Sequence, residues 1–599
     1  MKTTKNIVRL AVTAGLTAAL SFGGVMMPVT MAFAAGNTTV TFDCGDYTGS
    51  TTYKGIQIFK ANVTTTNGTT TASNIDWGSP AVETAVIAAI REKEPAYTST
   101  NAQDAADWLN EHNKDADRTD STTRVNSGHV LSAIASKLEK TGAWTKASAG
   151  SSSLTDLDAG YWLLLTDNTT KSGDKSTDAF TSPVYAVIDG TDTTVKITPK
   201  KSVPTVEKKI LDDKNAEDDL TTVPVTVWDD VADSQIGQEV NYKLTGTIAD
   251  NYATYDSYAY KFTDELSDGL DYVDNSVEVY AFDGTNYTPI NSGKYVVACS
   301  GNELTVEFKV DDGKKGLKEV EGVNASTKIV VFYKAKLNKR AVIGNNTAEN
   351  TVGGNPNTVK LEYSNNPYGN GTGETIKDTV ADFAFKLNLN KVDQGTEKGL
   401  GGAVFTIRSN DENKYIASED NEAAHVVAGQ LVPVTVTDPD RLPDYVKFTS
   451  SSDESNKGMI EVKGLDAGSY TVTEIATPDS NYKTTADPFT FTITPTYNES
   501  KTKVENLTAV PESEQGRTDI AFGKLDGKAG DNVLHGQDGT GTDAAAGEVT
   551  INVGNTKSVS LPLTGLNGVT FTWIAGGAVL CIGVAHLIRS RKRDDGSEE

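Results

Sequence analysis

From residue 203 onward the chain runs in short segments in which apolar and polar residues alternate. Residues 240–244, 257–262, 304–310 and 328–335 all carry this pattern, and it returns at Phe385, Leu387 and Leu389. Side chains two apart share a face of an extended strand, so such segments predict half-buried β-strands. A sheet with one apolar face must bury it against another layer, and two such sheets stacked make a sandwich. Tyr (22) and Gly (53) are frequent, as strands and their turns prefer.

Residues 36–199 read differently. Strand-like pieces at 55–60 and 161–166 bracket helix-like ones, with Val130, Ile134 and Leu138 on one helical face and Ala105, Trp108 and Leu109 on a shorter one. A chain of 599 residues suggests about three or four domains. The expected fold is mainly β: a mixed α+β N-terminal domain (36–199), a β-sandwich (200–367), a linker rich in Gly, Asn and Thr (368–378) and a second sandwich (379–557).

The two ends predict export. Lys2, Lys5 and Arg9, the apolar stretch 10–22 and Ala32-Phe33-Ala34 form a secretory signal peptide over 1–35. Residues 569–588 carry no formal charge over about 20 residues, enough to cross a hydrocarbon core. Arg589, Arg591, Lys592 and Arg593 begin a short basic tail (589–599), which stays on the cytoplasmic side and leaves the bulk of the chain outside.

The formal charge of -26 argues against nucleic acid or anionic lipid as a partner. Only Cys44, Cys299 and Cys581 occur, the last inside the apolar C-terminal span, so no disulfide framework is expected. The five histidines, at 112, 129, 425, 535 and 586, show no metal-ligand spacing, and no phosphate-binding loop or nucleophile elbow is present. The acidic run at 212–219 lacks the glycine and spacing of a calcium loop. No cofactor and no metal are expected, and an enzyme would need a catalytic cluster that the sequence does not offer.

Leu561-Pro562-Leu563-Thr564-Gly565, followed by the apolar span and the basic tail, resembles the LPxTG cell-wall sorting signal read by sortase transpeptidases. The resemblance implies cleavage between Thr564 and Gly565 and transfer of the Thr564 carbonyl to an amine. Stretches in three further regions extend it. Residues 389–393 (Leu-Asn-Lys-Val-Asp), 400–405 (Leu-Gly-Gly-Ala-Val-Phe), Gly464-Leu465 and 468–474 (Gly-Ser-Tyr-Thr-Val-Thr-Glu) look like the CnaB pattern. Residues 204–208 (Pro-Thr-Val-Glu-Lys), 260–264 (Tyr-Lys-Phe-Thr-Asp) and Tyr363-Ser364-Asn365 resemble the fimbrial isopeptide-forming domain. Residues 74–78 and 160–163 look like the N-terminal domain of Gram-positive backbone pilins, and residues 498–546 fit the pattern poorly. Together they resemble a sortase-assembled shaft pilin, with Ig-like, CnaA- and CnaB-type sandwiches behind the mixed domain.

In that family sortase joins the Thr of one subunit to a Lys of the next, in a YPKN-like motif closing the first domain. The matching stretch, 195–201 (Val-Lys-Ile-Thr-Pro-Lys-Lys), makes Lys200 the candidate acceptor and Lys201 the reserve; an ordinary basic linker is the alternative. Pro199 fixes the local backbone at a domain boundary, where a lysine is open to a bulky enzyme.

Strand parity supplies the internal candidates. Lys208 shares a face with Val206 and Ile210, and Lys391 with Leu387 and Leu389. Burial lowers a lysine pKa and exposes a neutral, nucleophilic amine, unless the side chain bends out to solvent. By resemblance the target of each is an asparagine carboxamide on a late strand. Asn357 shares parity with Val359, Leu361 and Tyr363, and Asn555 with Val549, Ile551 and Val553; Asn350 and Asn355 are reserves. Asp264 and Glu474 fit the family's buried catalytic carboxyl, and the only reaction implied is this autocatalytic isopeptide formation.

The implied function is a structural subunit of a covalent, wall-anchored pilus on the cell surface, supporting adhesion. Its implied partners are pilus-class and housekeeping sortases, identical subunits, peptidoglycan and a host or bacterial surface ligand. A non-polymerising wall-anchored adhesin built on CnaB-type sandwiches is the alternative.

Overall fold

The computed structural model describes residues 36–558 except 43–49, 67–68, 113–124, 126, 148–152, 171–175, 178–179, 182, 191–193, 198–202, 216–217, 312, 346–351, 437, 513–516, 518, 523–541 and 544. The expected mainly-β architecture is what it shows.

In the N-terminal part, two long strands, β1 (Ser50–Thr66) and β2 (Gly160–Thr170), pair antiparallel at the centre of a sheet flanked by Thr69–Trp77 and Val184–Ile188. Three α-helices are present among the described residues: α1 (Pro80–Lys93), α2 (Ala102–His112) and α3 (Val130–Thr141). The Ser79 side chain caps α1 by accepting from the Val82 N–H, with Pro80 at the first helical position. Val130, Ile134 and Leu138 are all buried, as their spacing predicts, in one core with α1 and the sheet. Thr38–Phe42 forms a second, smaller sheet, antiparallel to Ser153–Leu157 and parallel to Thr194–Ile197.

The middle part is a sandwich of two sheets. One holds β3 (Val206–Leu211), β4 (Glu239–Gly246) and β6 (Lys328–Leu337); the other holds β5 (Tyr260–Leu266), β7 (Asn355–Ser364) and β8 (Asp378–Phe383). β7 alternates buried and half-buried residues along its whole length. Within 368–378, read from composition as a linker, Thr372–Glu374 pairs with β7, and the Thr177 N–H donates to the Glu374 carbonyl at 2.9 Å. Backbone pairing, which needs no apolar side chains, makes this polar segment part of the sheet.

β8 leads directly into β9 (Phe385–Asp393), the first strand of the last sandwich. β9 lies between Met459–Leu465 and a parallel partner, β12 (Glu548–Asn555). The facing sheet contains β10 (Val404–Ser409) and β11 (Gly468–Ala476). The middle and last sandwiches are bonded to one another. The Ile236 N–H donates to the Gly464 carbonyl at 2.9 Å, Ala467 N–H to Asp233 Oδ1 at 3.1 Å, and the Tyr497 hydroxyl to Asp233 Oδ2 at 2.8 Å. Gly464 has φ +77°, and a Cβ there would fall 2.2 Å from the Ile236 side chain, so this joint needs glycine.

Cys299 is a free, exposed thiol, and Cys44 lies outside the described residues. Among the described residues no helix is long and apolar enough to cross a membrane, and no cluster of acidic, histidine or cysteine side chains is placed to hold a metal. The predicted signal peptide (1–35), sorting motif and membrane span (569–588) lie outside them.

Candidate functional site: two buried lysine clusters

Lys208 stands on β3 between Val206 and Ile210 and is fully buried, as its parity predicts. Its Nζ donates to both oxygens of Asp264, each at 2.7 Å, and to the Tyr333 hydroxyl at 2.9 Å. Asp264 projects from β5 and Asn357 from β7, both on the opposite sheet, so the cluster spans the sandwich. Asn357 Nδ2 donates to the Tyr333 oxygen at 2.6 Å, and the Tyr333 hydroxyl donates to Asp264 Oδ2. Asn357 Oδ1 is buried and closes no hydrogen bond.

Tyr242 and Tyr333 are a cross-strand pair on β4 and β6, stacked with centroids 5.2 Å apart. Lys208 Nζ lies 5.1 and 5.2 Å from the two ring centroids, a cation–π arrangement. Burial pulls the Lys208 pKa down to about 8, with Asp264 opposing it. Burial also holds the Asp264 carboxyl above its ordinary range, against the pull of Lys208 and Tyr333. The pair therefore sits nearer to a neutral amine and a neutral acid than it would in water. Of the two reserves, Asn355 is engaged elsewhere: its Oδ1 accepts from Val342 N–H at 2.8 Å and its Nδ2 donates to the Asp382 carbonyl at 3.0 Å. Asn350 lies outside the described residues.

Lys391 is likewise fully buried, on β9. Its Nζ donates to Asn555 Oδ1 at 2.6 Å and Glu474 Oε2 at 3.0 Å, and Asn555 Nδ2 donates to Glu474 Oε1 at 2.9 Å. These three bonds close a ring of lysine, amide and carboxylate. The Ala486 N–H adds a fourth, to Glu474 Oε2, at 2.7 Å. Lysine and asparagine here lie on adjacent parallel strands of one sheet, with Asp393 opposite Asn555, while Glu474 reaches in from β11 on the other. Burial pulls Lys391 down to about 8, with Glu474 opposing.

Each cluster thus sets an amine with a lowered pKa among a carboxamide and a carboxyl, walled from water. That is the donor set for transamidation, in which an amine replaces ammonia on a carboxamide. The tyrosines are what sequence reasoning missed. Tyr242 shares parity with Val240 and Leu244, and Tyr333 with Val331 and Ala335, so two hydroxyls on inward faces were legible as groups needing buried partners. Lys200, Lys201, Leu561, Pro562, Thr564 and Gly565 lie outside the described residues.

Residues 236–367 match the family model described as Gram-positive pilin backbone subunit 2, Cna-B-like domain. Residues 385–508 match the SpaA prealbumin-like fold domain. The trypsin-resistant surface T6 protein of Streptococcus pyogenes serotype M6 is 24% identical over 248 residues, covering 39% of this chain and 41% of that protein. The match thus spans about two fifths of this curated relative. Among solved structures, the T6 backbone pilin of serotype M6 Streptococcus pyogenes is 15% identical, covering 88% of this chain and 99% of that one, with a TM-score of 0.48. The major pilin SpaD of Corynebacterium diphtheriae is 16% identical, covering 88% and 99%, with a TM-score of 0.40. The stretch matching the pilin-backbone model contributes Tyr242, Asp264, Tyr333 and Asn357 to the first cluster, while Lys208 precedes it.

Proposed function

We propose that this chain is a shaft subunit of a covalently polymerised pilus anchored to a Gram-positive cell wall, stiffened internally by Lys208–Asn357 and Lys391–Asn555 isopeptide bonds. The observation that carries the proposal is the pilin-backbone match over 236–367, which supplies the asparagine and carboxyl of one of two buried lysine–asparagine–carboxyl clusters. In this reading Asp264 and Glu474 take the proton that each lysine gives up before attack. Sortase cleaves after Thr564 and passes its carbonyl to Lys200 of the next subunit; a housekeeping sortase passes the last subunit to peptidoglycan.

The test is a blot of boiled wall extracts. Wild type gives a ladder of very large species, and Lys200→Ala leaves wall-anchored monomers. An unchanged ladder in that variant moves the acceptor to Lys201. A single monomer-sized band in wild type would instead establish the non-polymerising adhesin.

A further inference from the structure

We infer that Tyr333 is a catalytic residue of the middle-domain cross-link, relaying a proton from the Lys208 nitrogen to the departing Asn357 nitrogen. This rests on the proposal that the Lys208–Asn357 bond forms.

The two clusters differ in a way that calls for such a group. In the last sandwich one carboxylate touches both nitrogens: Glu474 Oε2 receives Lys391 Nζ and Oε1 receives Asn555 Nδ2. Asp264 is one methylene shorter, its hydrogen bonds go to Lys208 and Tyr333, and none runs to Asn357. The Tyr333 oxygen fills the gap, in contact with Lys208 Nζ at 2.9 Å and Asn357 Nδ2 at 2.6 Å. It is the group that meets both the nitrogen that must lose a proton and the nitrogen that must gain one.

The step balances as follows. The Lys208 ammonium gives one proton to the Asp264 carboxylate, leaving a neutral amine and a carboxylic acid. Nζ attacks Asn357 Cγ, and the carbonyl electron pair moves onto Oδ1. The new C–N bond leaves Nζ positively charged, and its surplus proton passes to the Tyr333 oxygen as the Tyr333 proton passes to Nδ2. The Cγ–Nδ2 bond breaks, ammonia leaves, the Oδ1 electrons restore the carbonyl, and Asp264 ends protonated. A planar amide nitrogen is a donor, as the ground-state geometry shows. It becomes an acceptor only in the tetrahedral intermediate, so the relay acts where catalysis requires. The first proton transfer also turns the acceptor of the Tyr333 hydroxyl from a carboxylate into a neutral acid, which weakens that hydrogen bond. Asn357 Oδ1 and the Tyr242 hydroxyl are both buried without hydrogen-bond partners.

The experiment follows cross-linking over time in cell-free-translated chain spanning residues 36–557, by mass spectrometry of linked peptides. Wild type should close both bonds. Tyr333→Phe should close Lys391–Asn555 normally, showing that the last sandwich has folded, and unfold in urea with a middle-sandwich transition, while Lys208–Asn357 forms about 100-fold more slowly, the scale of a lost general acid–base group. A Phe variant that closes the middle bond at the wild-type rate overturns the inference. A wild-type chain without that bond overturns the underlying proposal instead. If the Phe variant does not fold, 3-fluorotyrosine at position 333 keeps the hydroxyl and nearly the volume but is a stronger acid. Its pH–rate profile for the middle bond should shift from wild type, and an unshifted profile overturns the inference.

Discussion

Replacing Lys391 by Met removes the amine of the last sandwich while keeping an unbranched apolar chain in the same buried position. Lys391 and Asn555, the residues the proposed bond would link, are 164 positions apart. The chain-entropy relation for a cross-link closing a loop of that size gives about 5 kcal/mol of stabilisation, all of which the variant forfeits. The vacancy itself costs little. Glu474 keeps the Ala486 N–H at 2.7 Å and the Asn555 amide at 2.9 Å, so no carboxylate is left buried and bare. For a domain of this size each kcal/mol moves the melting point by about 2–4 °C, so the last-sandwich transition should fall by roughly 10–20 °C. Differential scanning calorimetry of the 36–557 chain reads this directly, with intact mass confirming that the variant retains one ammonia that wild type loses. A transition that stays in place although the mass shows the bond gone would refute the entropic reasoning.

Two pH effects follow from the buried groups. In Asn357→Ala the Lys208 amine stays free, and its pKa is lowered from 10.5 to about 8. Between those values the unfolded chain binds more protons than the folded one, so the middle sandwich should gain stability as pH rises through the window; a loss, measured by urea unfolding, would contradict it. At the joint, burial and the neighbouring Asp233 and Asp213 hold Asp466 well above its ordinary 3.8, with Lys214 opposing. The folded joint therefore binds more protons, and its stability should fall as pH rises from 3.8 until Asp466 ionises. Asp466→Asn should flatten that slope in thermal unfolding.

Strand parity carried the sequence reading furthest. Lys208, Asn357, Lys391 and Asn555 are all buried because each falls in step with apolar neighbours, and a period of two leaves little freedom about which face they join. Parity says nothing about which sheet a strand enters. Hence Lys208 facing Asn357 across the sandwich, and Lys391 lying beside Asn555 within one sheet, were both invisible in one dimension. The tyrosines were legible as inward-facing aromatics but not as neighbours of the amine. Only the cross-strand register brings the Tyr333 hydroxyl and the Tyr242 ring to Lys208 Nζ. Asn355 and Asn357 share parity, so only their hydrogen bonds separate them: Asn355 holds the backbone at Val342, two strand positions from the cluster.

The central claim is that the two clusters become covalent bonds, and the intact mass of the chain spanning residues 36–557 tests it most directly. The account predicts a mass short by two ammonia molecules, with linked peptides joining Lys208 to Asn357 and Lys391 to Asn555. A chain at its full calculated mass, or a deficit that survives replacement of both lysines, would contradict it.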